Sequence, residues 1–324
     1  MKFNLNIGIV GYGSIGKKHY QIIRKNFKST KIFVYSSQKI KKNNFFNNFE
    51  KFLKNKLDIV LICSPANTHI NLAKKILKKR INVFIEKPLS SKTIDKKSYK
   101  YLKKNKKKID IGYVFKHDHN AQYIKKIIEE KKFGEILYSK ICCKTFFPKW
   151  RSKNYNKTVT AKRKLGGGAL NEVSHEIHYA NWFFGPFQEV ESKLNNSNKL
   201  KIDVEDQVRV KFYTNKNFIV DIDIDITDKS FKKKDQRTCT IIFKKSTIQW
   251  DLVKNTIFIH NHNNYKKIKK NSSDKFINQI KNILLRKIGR NNYINVSFEE
   301  AHEIDRLIKF VRKSNLKKKK VAVN

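Results

Sequence analysis

Through the first third of the chain, short apolar runs alternate with amphipathic stretches. NIGIV (6–10), KIFVY (31–35), DIVLIC (58–63), NVFIE (82–86) and DIGYV (110–114) are rich in Ile, Val and Phe and have the length of buried strands. Helical patterns fill the gaps: one from about Ser14, one over 68–80 and one over 91–105. Strands without strict alternation are buried on both faces, and helices between them supply right-handed crossovers. The pattern predicts a parallel, doubly wound sheet.

After about residue 120 the periodicity shifts. A helix over 120–132 ends at Gly134, and then come EILYSKICCKTFF (135–147), QVRVKFY (207–213), FIVDIDIDIT (218–227), RTCTIIFKK (237–245) and TIQWDL (247–252). Period-two alternation and short Asn/Lys/Ser turns predict antiparallel strands. Helices near 273–288 and 297–314 precede a basic tail. The expected organisation is a first domain over 1–117 and an α/β second domain over 118–324, with no internal repeat. In DIDIDIT the alternation puts Asp221, Asp223 and Asp225 on one strand face, expected to be solvated rather than cation-binding.

Composition adds one surprise. Hydrophobic residues make up 39% and aromatic residues 12%, as in folded globular chains, but 73 Lys+Arg against 27 Asp+Glu give a net charge of +46. Lysines are spread over every expected helix instead of forming one arm, and Asn and Ile are abundant too. The charge reads as compositional bias with weak polyanion attraction, and no specific nucleic-acid site is expected. Cys63, Cys142, Cys143 and Cys239 form no CxxC pair and no metal spacing, so buried thiols of a reducing compartment are expected. MKFNLNIGIV runs straight into a glycine motif, as a first strand and not a signal peptide, and no apolar run reaches membrane-spanning length. A cytoplasmic location without membrane attachment is expected.

The glycine motif is GYGSIG (11–16), placed after a buried strand and before a helix, the context that a Rossmann dinucleotide-binding fingerprint requires. Gly11 permits a tight turn, Gly13 lets backbone approach a pyrophosphate, and Gly16 lets the helix pack on the sheet. The N–H groups from Ser14 and Ile15 onward meet the anion with the positive end of the helix dipole. The second strand ends VYSSQKI (34–40), with no acid to bond a ribose 2′-hydroxyl. Ser36, Ser37 and Lys39 suit a 2′-phosphate better, which favours NADP over NAD as cofactor.

CSPANTH (63–69), IEKP (85–88) and GGGALNEVSHEIHYANWFFG (166–185), following such a fingerprint, together resemble the Gfo/Idh/MocA oxidoreductase family. The likeness extends over nearly the whole chain to SFEEAHEIDRLIKFVRKS (297–314). It implies an N-terminal Rossmann domain and a C-terminal open, mostly antiparallel sheet, with sugar-like substrates bound beside the nicotinamide. The lysine of EKP sits beside the nicotinamide in the family. Here it is Lys87, with Glu86 and Pro88 shaping the strand end and Glu86 counted in the cofactor site. Ser64, Pro65, Asn67 and His69 are implied as cofactor-lining residues, and Lys116 stands where the family often has a cleft-facing arginine. Alcohol oxidation needs a group to take the proton as hydride leaves, a task for a lysine partly desolvated beside a positive ring.

In the family, the glycine-histidine helix carries an Asp, a His four residues later and an Asp three after that. With His175 as the anchor, those outer positions hold Asn171 and His178, and the nearest acid is Glu172. Residues three and four apart share a helix side, so Glu172, Asn171 and His178 can surround His175, opposite an apolar stripe of Leu170, Val173, Ile177 and Phe184. His175 is expected as proton-transfer partner of Lys87, oriented by Glu172 or Asn171, with Asn171 and His178 as substrate-binding positions. HEIH is not HExxH and no distant third ligand is evident, so no metal is expected.

FFPKWRSKNYNKTVTAKRKLGGG (146–168) is similar to a segment in a branch of the family associated with nonulosonic acid and surface-sugar biosynthesis, with Trp150 to stack on a sugar ring and Arg151 to bind a carboxylate or phosphate. The reading is an NAD(P)-dependent oxidoreductase acting on a hydroxyl or carbonyl carbon of a sugar or sugar-derived acid. A homodimer or homotetramer built through the second-domain sheet is expected. The alternative is a catalytically inactive cofactor- or sugar-binding sensor, left open by the changed positions 171 and 178.

Overall fold

The computed structural model describes residues 3–38, 40–150, 154–261, 264–268 and 274–323. Strands β1 (Asn6–Val10), β2 (Lys31–Tyr35), β3 (Phe45–Phe46), β4 (Ile59–Ile62), β5 (Asn82–Ile85) and β6 (Ile109–Ile111) form one sheet in the order β3-β2-β1-β4-β5-β6. Every pairing in it is parallel. The order reverses between β1 and β4, the switch point at which such sheets bind ligands. Crossovers include α1 (Ser14–Asn26), α2 (Phe49–Leu53), α3 (His69–Lys78) and α4 (Lys96–Lys104). All four residues of β4 are buried, which explains its unbroken apolar run.

Two boundaries differ from expectation for local reasons. Helix α4 starts at Lys96 rather than 91, because the Asp95 side chain accepts a hydrogen bond from Ser98 N and caps it there. Strand β6 stops at Ile111, and Val114–His117 turns into a 3-10 helix.

The remaining elements are α5 (His119–Glu129), β7 (Ile136–Lys144), α6 (Ala169–Glu172), α7 (Ser174–Phe184), β8 (Phe187–Asn195), β9 (Gln207–Thr214), β10 (Ile219–Asp225), β11 (Gln236–Phe243), β12 (Thr247–Asp251), β13 (Thr256–Asn261), β14 (Asn264–Ile268), α8 (Lys275–Lys287), α9 (Phe298–Lys317) and β15 (Val321–Ala322). The second sheet runs β14-β13-β12-β11-β7-β10-β9-β8-β15. Its pairings are antiparallel with one exception: β10 lies parallel to β7, with Ile222 opposite Ile141. The sheet is thus mostly antiparallel, as expected. Between β7 and β10 the chain makes α6, α7, β8 and β9, a connection long enough for a crossover.

On β10, Val220, Ile222 and Ile224 are buried while Asp221, Asp223 and Asp225 take the other face. Asp221 accepts from Tyr138 Oη at 2.9 Å and pairs with Lys140, and Asp223 pairs with Lys144. These are cross-strand pairs on a partly solvated face. Among the described residues no group of His, Cys, Asp and Glu could hold a metal ion.

The chain divides into two compact units, and the division is not the expected one. The first contains the described residues of Met1–His117 and Ser273–Glu303, the second those of Asp118–Ser272 and Ile304–Asn324. Residues 273–303 thus leave the second domain, to which the sequence reading assigned them, and join the first. The reason is apolar. Ile280, Ile283, Leu284 and Leu285 of α8 share one core with Phe3, Ile7, Ile23, Phe27 and Val34. A buried ion pair reinforces this, with Arg286 Nη1 2.5 Å from Asp110 Oδ2 and 2.9 Å from the Ile109 carbonyl it donates to.

Arg286→Ala strands the Asp110 carboxylate in the interior. It is expected to destabilise the protein by about 3–5 kcal/mol. Hydrogen exchange should show α8 opening along with β6, and a melting curve matching wild type would contradict this.

Candidate active site

At the end of β1 the chain turns through Gly11, whose φ of +95° is left-handed and whose N–H donates to the Tyr35 carbonyl at 2.9 Å. A Cβ there would stand 2.8 Å from Ser64 N. At Gly16 a Cβ would fall onto the Gly11 carbonyl oxygen, so α1 can approach the strand end only with glycine at that position. Gly13 is different: an added Cβ meets nothing within 4 Å. It occupies the N-cap of α1 with no side-chain cap and no acid in the first turn. The first helical bond is Lys17 N–H to the Gly13 carbonyl at 2.9 Å, leaving the N–H groups of Ser14, Ile15 and Gly16 ahead of the ladder. Donors, partial positive charge and free space fit the diphosphate of a dinucleotide.

Beside this loop, β2 ends without a carboxylate among residues 35–38. Ser36 is buried and its Oγ accepts from Gln38 N at 3.1 Å, so it shapes the turn, while Ser37 is exposed. Lys39 lies outside the described residues. The loop after β4 is tied internally, with Ser64 Oγ bonded to Thr68 Oγ1 at 2.7 Å and Thr68 donating to the Pro65 carbonyl. Pro65 and Asn67 are exposed on it. His69 is enclosed, at 1% exposure, so it supports the loop from behind instead of lining a surface. Its Nδ1 lies 3.0 Å from the Pro88 carbonyl and its Nε2 2.8 Å from the Ser64 carbonyl. Burial pulls its pKa down, with both carbonyls and the Glu86 charge opposing.

At the end of β5, Glu86 is buried and Lys87 is half-buried. His19, which sequence reasoning missed, reaches Glu86 from α1, its Nε2 donating to Oε1 at 2.6 Å. A signal was available: Gly16, His19 and Ile23 are the buried positions of α1, spaced by three and four. Thus the first unit brings together the glycine loop, the Ser64–Thr68 loop and the Glu86–Lys87 turn around the switch point. Lys116, on the 3-10 turn after β6, donates to Glu300 Oε2 at 2.6 Å.

In the second unit, the expected single helix is two. Val173 has φ −101° and ψ 26° and separates α6 from α7. Leu170, Val173, Ile177 and Phe184 are buried, as their spacing implied. The preceding glycines are packing devices: Gly168 has φ +108°, and a Cβ there would run into the Glu205 carboxylate. Arg312 pairs with that carboxylate at 3.0 Å. Asn171 Nδ2 donates to the Gly166 and Gly167 carbonyls at 3.1 and 3.3 Å, and Thr160 Oγ1 donates to Glu172 Oε2 at 3.1 Å. His175 is half-buried. His178, expected at the substrate, is enclosed at 1% exposure.

Glu176 is fully buried and bonded through both oxygens to Arg237, at 2.5 and 2.9 Å. Sequence reasoning had no means of finding Arg237, 61 residues away on β11. Trp150 meets Phe147 edge-to-face at 5.8 Å, and Arg151 lies outside the described residues. All four cysteines are buried free thiols, and burial raises each pKa.

A parallel sheet with a glycine cradle at its switch point, followed by a large mixed sheet, defines a Rossmann-type oxidoreductase. Two family models match, one described as "Oxidoreductase family, NAD-binding Rossmann fold" over residues 5–113 and one as "GFO/IDH/MocA C-terminal domain" over 121–249. The chain belongs to the Gfo/Idh/MocA oxidoreductase family. An uncharacterized oxidoreductase of Synechocystis is 25% identical over 227 residues, 64% of this chain, and the match spans 59% of that relative's length. Solved structures share the fold. A levoglucosan dehydrogenase in complex with NADH superposes with a TM-score of 0.85 at 16% identity over 99% of both chains. The WlbA dehydrogenase of Bordetella pertussis, in complex with NADH and UDP-GlcNAcA, gives 0.81 at 16% identity over 98% of this chain and 97% of that one.

The glycines make separable predictions. Gly13→Ala should melt as wild type does, since its methyl enters open space, but weaken dinucleotide binding by about tenfold or more, roughly 1.4 kcal/mol. Gly11→Ala should lower the melting temperature by several degrees, a cost of about 1–3 kcal/mol for the forced φ. Equal melting of both variants in calorimetry would refute the assignment.

Proposed function

We propose that the protein is an NAD(P)-dependent dehydrogenase or reductase that interconverts a hydroxyl and a carbonyl on a sugar or sugar-derived acid. The observation that carries this reading is the open space at Gly13 over the N-terminus of α1, in the same unit as the Lys87 turn. A bound nicotinamide supplies or accepts the hydride. Lys87 takes the hydroxyl proton in oxidation and returns it in reduction, from a half-buried position at the end of β5. His175 is assigned the second proton-transfer role on the family resemblance, with Glu172 two positions before α7 to orient it. Asn171, Lys116 and Trp150 are assigned to substrate, and the sugar class is supported by the solved relatives that hold sugar ligands.

NADP is favoured over NAD because nothing among residues 35–38 would repel a 2′-phosphate, and Lys41 and Lys42 follow exposed. Four buried free thiols support a reducing, cytoplasmic setting. The broad sheet of the second unit is the surface proposed for a homodimer or homotetramer.

Titration of intrinsic fluorescence with NADPH and NADH at physiological salt tests the cofactor, with tighter NADPH binding expected. NADH binding more tightly would overturn the NADP preference alone, and binding of neither would overturn the enzyme. With a substrate found among UDP-sugar acids and anhydrosugars, Lys87→Met should lower kcat by about 10²–10⁴ while the dinucleotide Kd moves less than about threefold. An unchanged kcat would remove Lys87 from the chemistry, and cofactor binding without turnover of any sugar would favour a sensor.

A further inference from the structure

Lys87 lies between two residues that each meet a buried histidine. On its N-terminal side, Glu86 uses its two oxygens separately: Oε1 accepts from His19 Nε2 at 2.6 Å, and Oε2 accepts from the backbone N–H of Lys87 itself at 3.2 Å. On its C-terminal side, the Pro88 carbonyl stands 3.0 Å from His69 Nδ1. His19 comes from α1, the helix of the glycine loop, and His69 opens α3, the helix after the Ser64–Thr68 loop. Both rings are enclosed, at 0% and 1% exposure.

The chemistry of each contact is restrictive. A carboxylate only accepts, so the His19 proton sits on Nε2, and among the described residues its Nδ1 has no hydrogen-bond partner. That ring therefore makes one directed bond, to Glu86. The Glu86 carboxylate lies where any side chain at residue 112 would begin: a Cβ on Gly112 would stand 2.8 Å from Oε2. Rings of Phe84 and Phe276 close around His19 edge-on, at 5.6 and 6.1 Å.

We propose that His19 and His69 are positioning residues for Lys87, fixing from both sides the backbone that aims its amine. This rests on the reading of Lys87 as the proton-transfer group. It adds that the two cofactor loops and the proton-transfer group are one mechanical unit, joined by two imidazoles. Neither histidine is a catalytic residue here, since each acts through a neighbour of Lys87.

The test reads Lys87 directly and needs no substrate. The full-length protein is acetylated competitively with trace acetic anhydride across a pH series. Mass spectrometry then follows the peptide carrying Lys87 against one carrying Lys78 on α3. In His19→Leu the Lys87 profile should move by about half a pH unit or more, about threefold in labelled fraction on its rising limb, with the Lys78 profile unmoved. His19→Gln, whose amide can donate to Glu86 from a similar place, should return most of the difference.

Gly112→Ala displaces the Glu86 carboxylate without touching either histidine and should also move Lys87, which keeps the test decisive if His19→Leu does not fold. His69→Leu should act from the other side in the same way. A folded His19→Leu or Gly112→Ala with a wild-type Lys87 profile overturns the proposal. Failure of wild type to bind NADPH or NADH would instead overturn the enzyme reading, and the labelling result would stand apart from it.

Discussion

Gly16 has no room for a side chain, because the Gly11 carbonyl oxygen occupies the place where one would begin. This contact sets the distance between α1 and the ends of β1 and β4, and much of the first unit follows from it. A helix held that close directs its next buried positions, His19 and Ile23, into the sheet. Ile23 meets the apolar core there, and His19 meets the one carboxylate at the end of β5. The residue after that carboxylate is Lys87. A steric demand at one glycine is thus propagated by helix geometry over two turns to the neighbourhood of Lys87. No long-range charge is needed for this, only a rigid helix and a short hydrogen bond.

The parallel strands were legible because buried β-branched runs such as IVLI have few other uses, and the glycine loop because its spacing reflects space and φ directly. The end of the first unit was not legible. Helix α8 is amphipathic in the ordinary way, and nothing in KFINQIKNILLRK says which of two cores its Ile and Leu face will meet. The same holds for β10, whose alternation reveals a half-buried strand but not that its neighbour β7 runs parallel. Pattern reports burial and period; partner choice depends on residues far apart in the chain.

The candidate site divides in the same way. Lys87 and the glycines were singled out as candidates from local motifs, whereas the partners of Gly112, Glu205 and Arg237 are set by tertiary contact. The helix carrying His175 illustrates the difference. Its many ionisable groups looked like a cluster for chemistry, yet Glu176 is spent on Arg237 in the interior. Cysteine behaves similarly. Cys63 lies beneath the loop against Gly16, and its thiol pKa is driven up by burial and by the charge of Glu86. It packs there as a small apolar group.

The return of residues 273–303 to the first unit has a consequence for synthesis. Ribosomes deliver β1 to β6 early, but Ile280, Ile283 and Leu284, which cover Phe3, Ile23 and Phe27, emerge only after the whole nine-stranded sheet except β15. Throughout that interval the apolar residues of the first unit that α8 covers lack their partner, and closure of this core awaits residues 280–285. The full chain carries a net charge of +46, and like charge of that size opposes association of its copies.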